Sequence, residues 1–296
     1  MTLPATEQCD PRFDALDTWD VPTVLAALWE GQMAAVAALG PALPALARAV
    51  AAAAARLRDG GRLAYAGAGT SGRIAVQDGA ELTPTFDWPE ERLILLMAGG
   101  AGALLRSVEN AEDRDDLARA EITANAVGER DVLVGVAASG ATPFTLACVT
   151  AARSRGALTI GLANSQGSLL DAAEYPVLIE TGAEAVAGST RMKAGTAQKA
   201  ALNLFSTALM VRLGRVYRGR MVDMLARNEK LRRRAERMLA DIAGASPQQA
   251  RVALAGADGK VKLAVLILRG LDRAGAEAVL ARHRGQLRPA LAELVG

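Results

Sequence analysis

Leu63-Ala-Tyr-Ala-Gly67-Ala-Gly69-Thr-Ser-Gly72-Arg73 reads as a short apolar strand, a glycine-rich turn and the start of a helix. Glycines let a backbone approach an anion closely, and free N–H groups at a helix start favour phosphate there. The turn literally satisfies the G-x-G-x-x-G pattern of dinucleotide sites, which alone is a weak signal. A dinucleotide site also needs an acidic side chain at the end of the second strand to hold a ribose hydroxyl. That strand ends Met97-Ala-Gly-Gly100, and Asp87, Glu90 and Glu91 precede it instead. Thr70 and Ser71 add hydroxyl donors suited to a phosphate monoester.

Working outward, short apolar runs at 62–66, 93–98, 131–136, 157–163 and 175–179 lack strict alternation, as strands buried on both faces of a parallel sheet do. Helical segments separate most of them. The pattern predicts an α/β fold of three layers. Residues 1–20 read as an extended polar arm. Residues 21–58 are rich in Ala, Leu and Val at helical spacing, punctuated by Pro41 and Pro44. One long helix is expected over 189–213, capped by Ser189 or Thr190, and another over 221–243. Gly244-Ala-Ser-Pro247 marks a break. Helical pieces at 247–256, 258–269 and 272–283 follow, Asp272 capping the third, with a last one to Leu294. The expected domains are 1–58 (arm and helices), 59–245 (phosphate-binding domain) and 246–296 (a small helical appendage).

Composition narrows the chemistry. The 296 residues carry 34 basic and 32 acidic side chains, a net charge of +2, and aromatics are 3%. This speaks against a nucleic-acid platform of aromatics between basic residues, and Lys230-Leu-Arg-Arg-Arg234 reads as a solvated helix face. Two distant cysteines, Cys9 and Cys148, and one histidine, His283, exclude a disulfide framework and a Cys/His zinc site. Acid–base work would therefore fall to carboxylates or lysines. The N-terminus lacks the pattern of a signal peptide. The apolar stretch at 36–57 is broken by Pro41, Pro44, Arg48 and Arg56, so a cytoplasmic protein without a membrane span is expected.

Two further elements repeat the chemistry of the first loop. Ala137-Ala-Ser-Gly-Ala-Thr-Pro143 again places hydroxyls, Ser139 and Thr142, at a strand-to-helix turn. Gly188-Ser-Thr-Arg-Met-Lys193 opens the long helix with hydroxyls and cations. Loops after parallel strands converge outside the carboxyl ends of a sheet. The candidate phosphosugar-binding residues are Gly69, Thr70, Ser71, Gly72, Ser139, Gly140, Thr142, Ser189, Thr190 and Lys193.

Together these elements resemble the sugar isomerase (SIS) fold, a flavodoxin-like phosphosugar-binding domain. The resemblance sharpens to the N-acetylmuramic acid 6-phosphate etherases. It rests on Gly67-Ala-Gly-Thr-Ser-Gly-Arg73, Val108-Glu-Asn-Ala-Glu-Asp113, Ala137-Ala-Ser-Gly140 and Gly188-Ser-Thr-Arg-Met-Lys-Ala-Gly-Thr-Ala-Gln-Lys199. Met221-Val-Asp223, Asn228-Glu-Lys-Leu231 and the early Thr6-Glu7 also fit. It implies cleavage of a lactyl ether with water, without metal or other cofactor, during recycling of cell-wall sugars. It implies a homodimer too. By motif position Glu81 matches the family's proton donor, and Glu112 its second catalytic carboxylate, the candidate base at C2, for which Glu109 and Asp113 compete. Glu81 is expected to end a helix of about ten residues, about 15 Å from the phosphate loop. Departures are Ala141 where the family usually has Arg, Ala80-Glu-Leu-Thr-Pro84 where it has Ser-Glu-Cys-Pro-Pro, and Asp10 where Asn is common. Two other activities fit the same fold: a phosphosugar isomerase and a non-catalytic phosphosugar sensor.

Overall fold

Residues 3–224 and 228–294 are described in a computed structural model of the chain. The five apolar runs form one parallel sheet: β1 (Leu63–Gly67), β2 (Leu93–Met97), β3 (Val132–Ala137), β4 (Leu158–Ala163) and β5 (Tyr175–Leu178). Its order is β2-β1-β3-β4-β5, the flavodoxin-like doubly wound order. Every residue of β1, β3 and β4 is buried, which is why their sequences run apolar without alternation. Edge strand β2 leaves Leu95 exposed.

Twelve α-helices complete the described residues: α1 (Val21–Ala37), α2 (Leu39–Leu57), α3 (Gly69–Phe86), α4 (Asp115–Ala124), α5 (Pro143–Ser154), α6 (Ser168–Ala172), α7 (Lys193–Arg212), α8 (Glu229–Ala243), α9 (Pro247–Gly256), α10 (Val261–Leu268), α11 (Arg273–Arg282) and α12 (Leu287–Glu293). A hairpin of β6 (Val216–Tyr217) and β7 (Arg220–Met221) precedes α8. The chain divides into two compact units, Met1–Ala80 with Glu91–Ser206, and Glu81–Glu90 with Thr207–Gly296.

In the first unit, one side of the sheet packs Ala64, Ala66, Ile94, Leu96 and Leu133 against Ala118 and Ile122 of α4 and Phe144, Cys148 and Val149 of α5. Helix α2 packs on β3, β4 and β5, burying Leu46, Ala49, Val50, Ala53 and Leu57 at helical spacing. The segment 21–57 is long and apolar enough to cross a membrane by length and composition. In α2 that apolarity is spent on the sheet. In α1 it is not: Val21, Leu25, Trp29, Met33 and Val36 are exposed at helical spacing.

Several expected boundaries move. The arm is wound into three 3₁₀ turns at Ala5–Glu7, Pro11–Phe13 and Leu16–Thr18, and Thr6 is buried with its N–H donated to Ser165 Oγ. The helix expected from 189 starts at Lys193, because Ser189 and Thr190 are in the preceding turn and do not cap it. The two carboxylate oxygens of Glu184 accept the N–H groups of Lys193 and Ala194, each at 2.9 Å. A carboxylate fills those orphan donors better than a hydroxyl, since it also meets the helix dipole. The helix expected over 221–243 starts at Glu229, capped by Asn228; Met221 belongs to the hairpin, and 225–227 lie outside the described residues. Helix α3 runs for 18 residues, so Glu81 sits within it rather than at its end.

The second unit has its own core, in which Met238, Leu239 and Ile242 of α8 meet Leu254, Val261, Val265 and Leu287. Gly244, at φ +70°, ends α8, and Ser246 with Gln249 forms a capping box for α9. Asp272 caps α11 as expected, accepting Gly275 N–H.

At the amino-terminal end of the sheet Arg62 and Asp131 form a two-bonded ion pair, at 2.7 and 3.1 Å. Burial would raise the Asp131 pKa, but hydrogen bonds from the Arg62 side chain, Gly128 N–H and Arg62 N–H outweigh it and hold the carboxyl below its ordinary 3.8. Because the folded pKa is depressed, the stabilisation is present above about pH 4 and lost as pH falls through the folded value. Asp131→Asn should lower stability by about 1–2 kcal/mol at pH 7 in urea denaturation. The gap from wild type should shrink on acidification below pH ~4; a gap independent of pH would refute the assignment.

Candidate functional site

The first loop depends on two glycines touching. A β-carbon at Gly67 would lie 2.7 Å from Gly72 Cα, and one at Gly72 would lie 2.6 Å from the Gly67 carbonyl oxygen. Only glycine at both positions lets the last residue of β1 meet the first turn of α3. The turn passes through Gly69 at φ +53°. Gly72 N–H returns to Ala68 O at 3.0 Å, while the N–H groups ahead of it have no carbonyl one turn earlier to receive them. Ser71 is buried, Thr70 half-buried and Gly69 exposed. Backbone donors at a helix start, with two hydroxyls beside them, have the chemistry of an anion cradle.

The second loop is its neighbour, because β1 and β3 pair in parallel with Gly67 opposite Val136. Ser139 Oγ accepts Ala141 N–H at 3.2 Å, shaping the turn. Gly140 has φ +71°, and a β-carbon there would lie 2.7 Å from Ser165 O. Thr142 stands at the N-cap of α5, but its hydroxyl makes no cap bond. The third element reaches the first through Gly195, where a β-carbon would lie 3.4 Å from Thr70 Cγ2. The small-residue spacing of α7 thus lets its first turn lie beside that of α3. Lys193 Nζ donates to Ala183 O at 2.8 Å. Ser189 and Lys193 also line a cavity of about 340 Å³ with Arg12, Phe13, Glu30 and Glu184.

Glu112 faces the same cavity as the glycine loop. It and Glu109 line a cavity of about 190 Å³ with Gly69, Arg73, Ser107 and Asn110. Arg73 joins the two parts: its Nε donates to Ala103 O at 2.9 Å and its Nη2 to Arg106 O at 3.4 Å. One guanidinium near the start of α3 therefore holds the segment that leads to Glu112. Asn110, left-handed at φ +57°, turns the chain immediately before Ala111–Asp113. Glu81 falls in the second unit, exposed on α3.

Sequence reasoning missed the buried polar groups that hold these pieces. Asp78 of α3 accepts Tyr65 O–H at 2.8 Å, Asn203 Nδ2 at 2.7 Å and Ser206 O–H at 3.1 Å. Burial, then the nearby Asp78 charge, push the Tyr65 phenol well above its ordinary pKa. Asn164 donates to Ile179 O and accepts Gln198 Nε2. Glu184, the cap of α7, lies nine residues ahead of the helix it caps, beyond any local signal.

Comparison with known proteins sets this geometry in a family. Residues 45–153 match the family model described as the glucokinase regulatory protein N-terminal SIS domain. An N-acetylmuramic acid 6-phosphate etherase of Deinococcus radiodurans is 48% identical over 97% of this chain and 95% of its own. One from Streptomyces coelicolor is 46% identical over 98% of this chain and 94% of its own. The chain belongs to the N-acetylmuramic acid 6-phosphate etherase family. Among solved structures, a phosphoheptose isomerase from Francisella tularensis is 20% identical, covers 66% of this chain and 98% of that one, and gives a TM-score of 0.47. The etherase likeness spans nearly the whole chain, so it covers the loop at Gly67–Gly72 and both glutamates together.

Replacing Gly72 with Ala should push the first turn of α3 off the end of β1. Affinity for a sugar 6-phosphate should fall at least about 10-fold by calorimetry, as expected for a backbone cradle displaced by about 1 Å. An unchanged Kd would remove the loop from the site.

Proposed function

We propose that this protein cleaves the D-lactyl ether of N-acetylmuramic acid 6-phosphate with water, giving N-acetylglucosamine 6-phosphate and D-lactate. The observation that carries this reading is the joint presence of Gly69 and Glu112 in one cavity, in a chain nearly half identical to etherases along its full length. The phosphate sits at the start of α3, held by N–H groups of the loop and by Thr70 and Ser71, with Ser139 and Thr142 on the neighbouring loop. Ser189, Thr190 and Lys193 are assigned to the remaining sugar contacts.

The chemistry is a carbon–oxygen lyase reaction followed by hydration. In the open-chain aldehyde, the C1 carbonyl makes the C2 proton acidic, and Glu112 removes it. The C3–O bond then breaks and Glu81 protonates the departing lactate oxygen. Water adds at C3, the C2 position takes back a proton, and the net reaction is ether plus water to alcohol plus lactate. Two positioned carboxyl groups of opposite protonation suffice for such a cycle. An isomerase on this fold would share the C2 step and keep the C3 substituent. A sensor would bind the phosphate and need neither glutamate. The match to the regulatory SIS domain covers residues 45–153 only, whereas the etherase relatives cover 97–98% of the chain.

The reading includes a homodimer in the cytoplasm, where phosphorylated sugars are handled. The stripe of Val21, Leu25, Trp29, Met33 and Val36 on α1, each at least half exposed, is the surface assigned to self-association. Leu25→Glu combined with Trp29→Glu should convert the dimer to monomer by light scattering. A variant that remains dimeric excludes α1 as the interface.

Incubation with N-acetylmuramic acid 6-phosphate in heavy-oxygen water should release D-lactate and place the label at C3 of the sugar. Glu81→Gln should slow lactate release by about 10²–10⁴-fold. Tight binding without lactate would favour the sensor, and ketose formation the isomerase.

A further inference from the structure

One motif of the sequence, Met221-Val-Asp223, has no place in the site described above. Its aspartate lies in a charged cluster of the second unit. Lys262 is buried, and its Nζ donates to Asp223 Oδ2 at 2.6 Å and to Gly285 O at 2.7 Å. Asp223 Oδ2 lies 3.9 Å from Arg215 Nη1. Arg215 faces the end of α3: its Nη1 donates to Phe86 O at 2.6 Å and to Asp87 O at 2.8 Å. Its guanidinium also lies over the Trp88 ring, 5.2 Å from the centroid.

Those carbonyls are where a helix most needs a partner. The last C=O groups of an α-helix have no N–H one turn later, and a cation there also meets the helix dipole. Asp87 is left-handed at φ +52°, a conformation that glycine usually supplies. The turn is tied by Asp87 N–H to Thr83 O, Trp88 N–H to Leu82 O and Thr83 O–H to Trp88 O. Glu81 precedes the first carbonyl held by Arg215 by only about one and a half turns. Arg215 is itself well held, its N–H donated to Met210 O and its C=O accepting Val222 N–H.

We propose that Arg215 is a positioning residue for Glu81: by fixing the carboxyl end of α3, with Asp223 and Lys262 fixing Arg215, it sets where the Glu81 carboxylate stands. The inference rests on the etherase reading. It makes Asp223 of Met221-Val-Asp223 part of the proton-donor arrangement, acting through Arg215.

The consequence is a split between the two half-tasks. Removal of the C2 proton needs the phosphate grip and Glu112. Departure of lactate needs Glu81 as well. Arg215→Lys keeps a cation on a shorter stem and loses the planar group over Trp88; Arg215→Met loses both hydrogen bonds from Nη1. Two rates are measured: lactate release from N-acetylmuramic acid 6-phosphate, and deuterium uptake at C2 of N-acetylglucosamine 6-phosphate in heavy water. Lactate kcat should fall about 10-fold in Arg215→Lys and about 100-fold in Arg215→Met, the scale of a 1 Å misplacement. KM and C2 exchange should stay within about two-fold of wild type, since neither uses Glu81. Glu81→Gln, run alongside, sets the ratio expected when the acid is lost. Equal losses in both reactions, or wild-type release in Arg215→Met, would overturn the proposal; if Arg215→Met is insoluble, Arg215→Lys decides by the same ratio. A wild-type protein that releases no lactate overturns the etherase reading and this inference together. Normal wild-type release with an unchanged ratio in the variants overturns this inference alone.

Discussion

The close approach of Gly67 to Gly72 is the constraint on which the site depends. At these distances a single methyl group on either residue would overlap backbone. The contact does three things at once. It aims the start of α3 across the carboxyl end of the sheet, presents unpaired N–H groups there, and brings Arg73 over the segment that carries Glu112. A phosphate bound at that helix start is therefore tied by one guanidinium to a candidate base. The loop and the segment that carries Glu112 are thus linked through one side chain, Arg73, bonded to backbone carbonyls.

The sheet was legible because its strands carry a plain physical signature. Val132–Ala137 and Leu158–Ala163 are buried on both faces, so their residues had to be apolar and small enough for helices to pack on either side. The two loops were legible because glycine and hydroxyls at a strand-to-helix turn have few other uses. Helix starts were less legible where a distant group supplies the cap. Glu184 satisfies two N–H groups of α7 from nine residues upstream, and the nearer Ser189 and Thr190 were natural but wrong choices. The hairpin at Val216–Met221 was missed for a related reason: two-residue strands leave no periodicity to read. The roles of the two glutamates were not legible from composition or spacing at all. Each is an exposed glutamate in sequence terms, and only family resemblance singled them out.

The polar interior of the first unit is organised by which end of the sheet it serves. At the amino-terminal end the orphan carbonyls of turns are taken by arginines. Arg92 donates to Leu57 O and Gly61 O, Arg62 to Asn125 O and Ala126 O, Arg155 to Val127 O, and Arg56 to Glu129 O and Gly156 O. Each guanidinium has five donors in a rigid fork and cannot be deprotonated, so one side chain locks two turns at any physiological pH.

At the carboxyl end the same task falls to neutral groups and to glycine. Asn164, Ser165, Thr6 and Gln198 bridge the turns, and Gly140 packs against Gly167 backbone. A guanidinium clamped at every turn there would compete for the phosphate that the proposed function assigns to the loops. Arg73 and Lys193 are the exceptions, and both have donors tied to backbone carbonyls. Their charge adds to the positive potential around the loops, while their positions stay set by the protein. Opposite ends of one sheet thus use opposite means of satisfying backbone: fixed cations at the amino-terminal end, and glycine, hydroxyls and amides at the carboxyl end, where the proposed function places the phosphate.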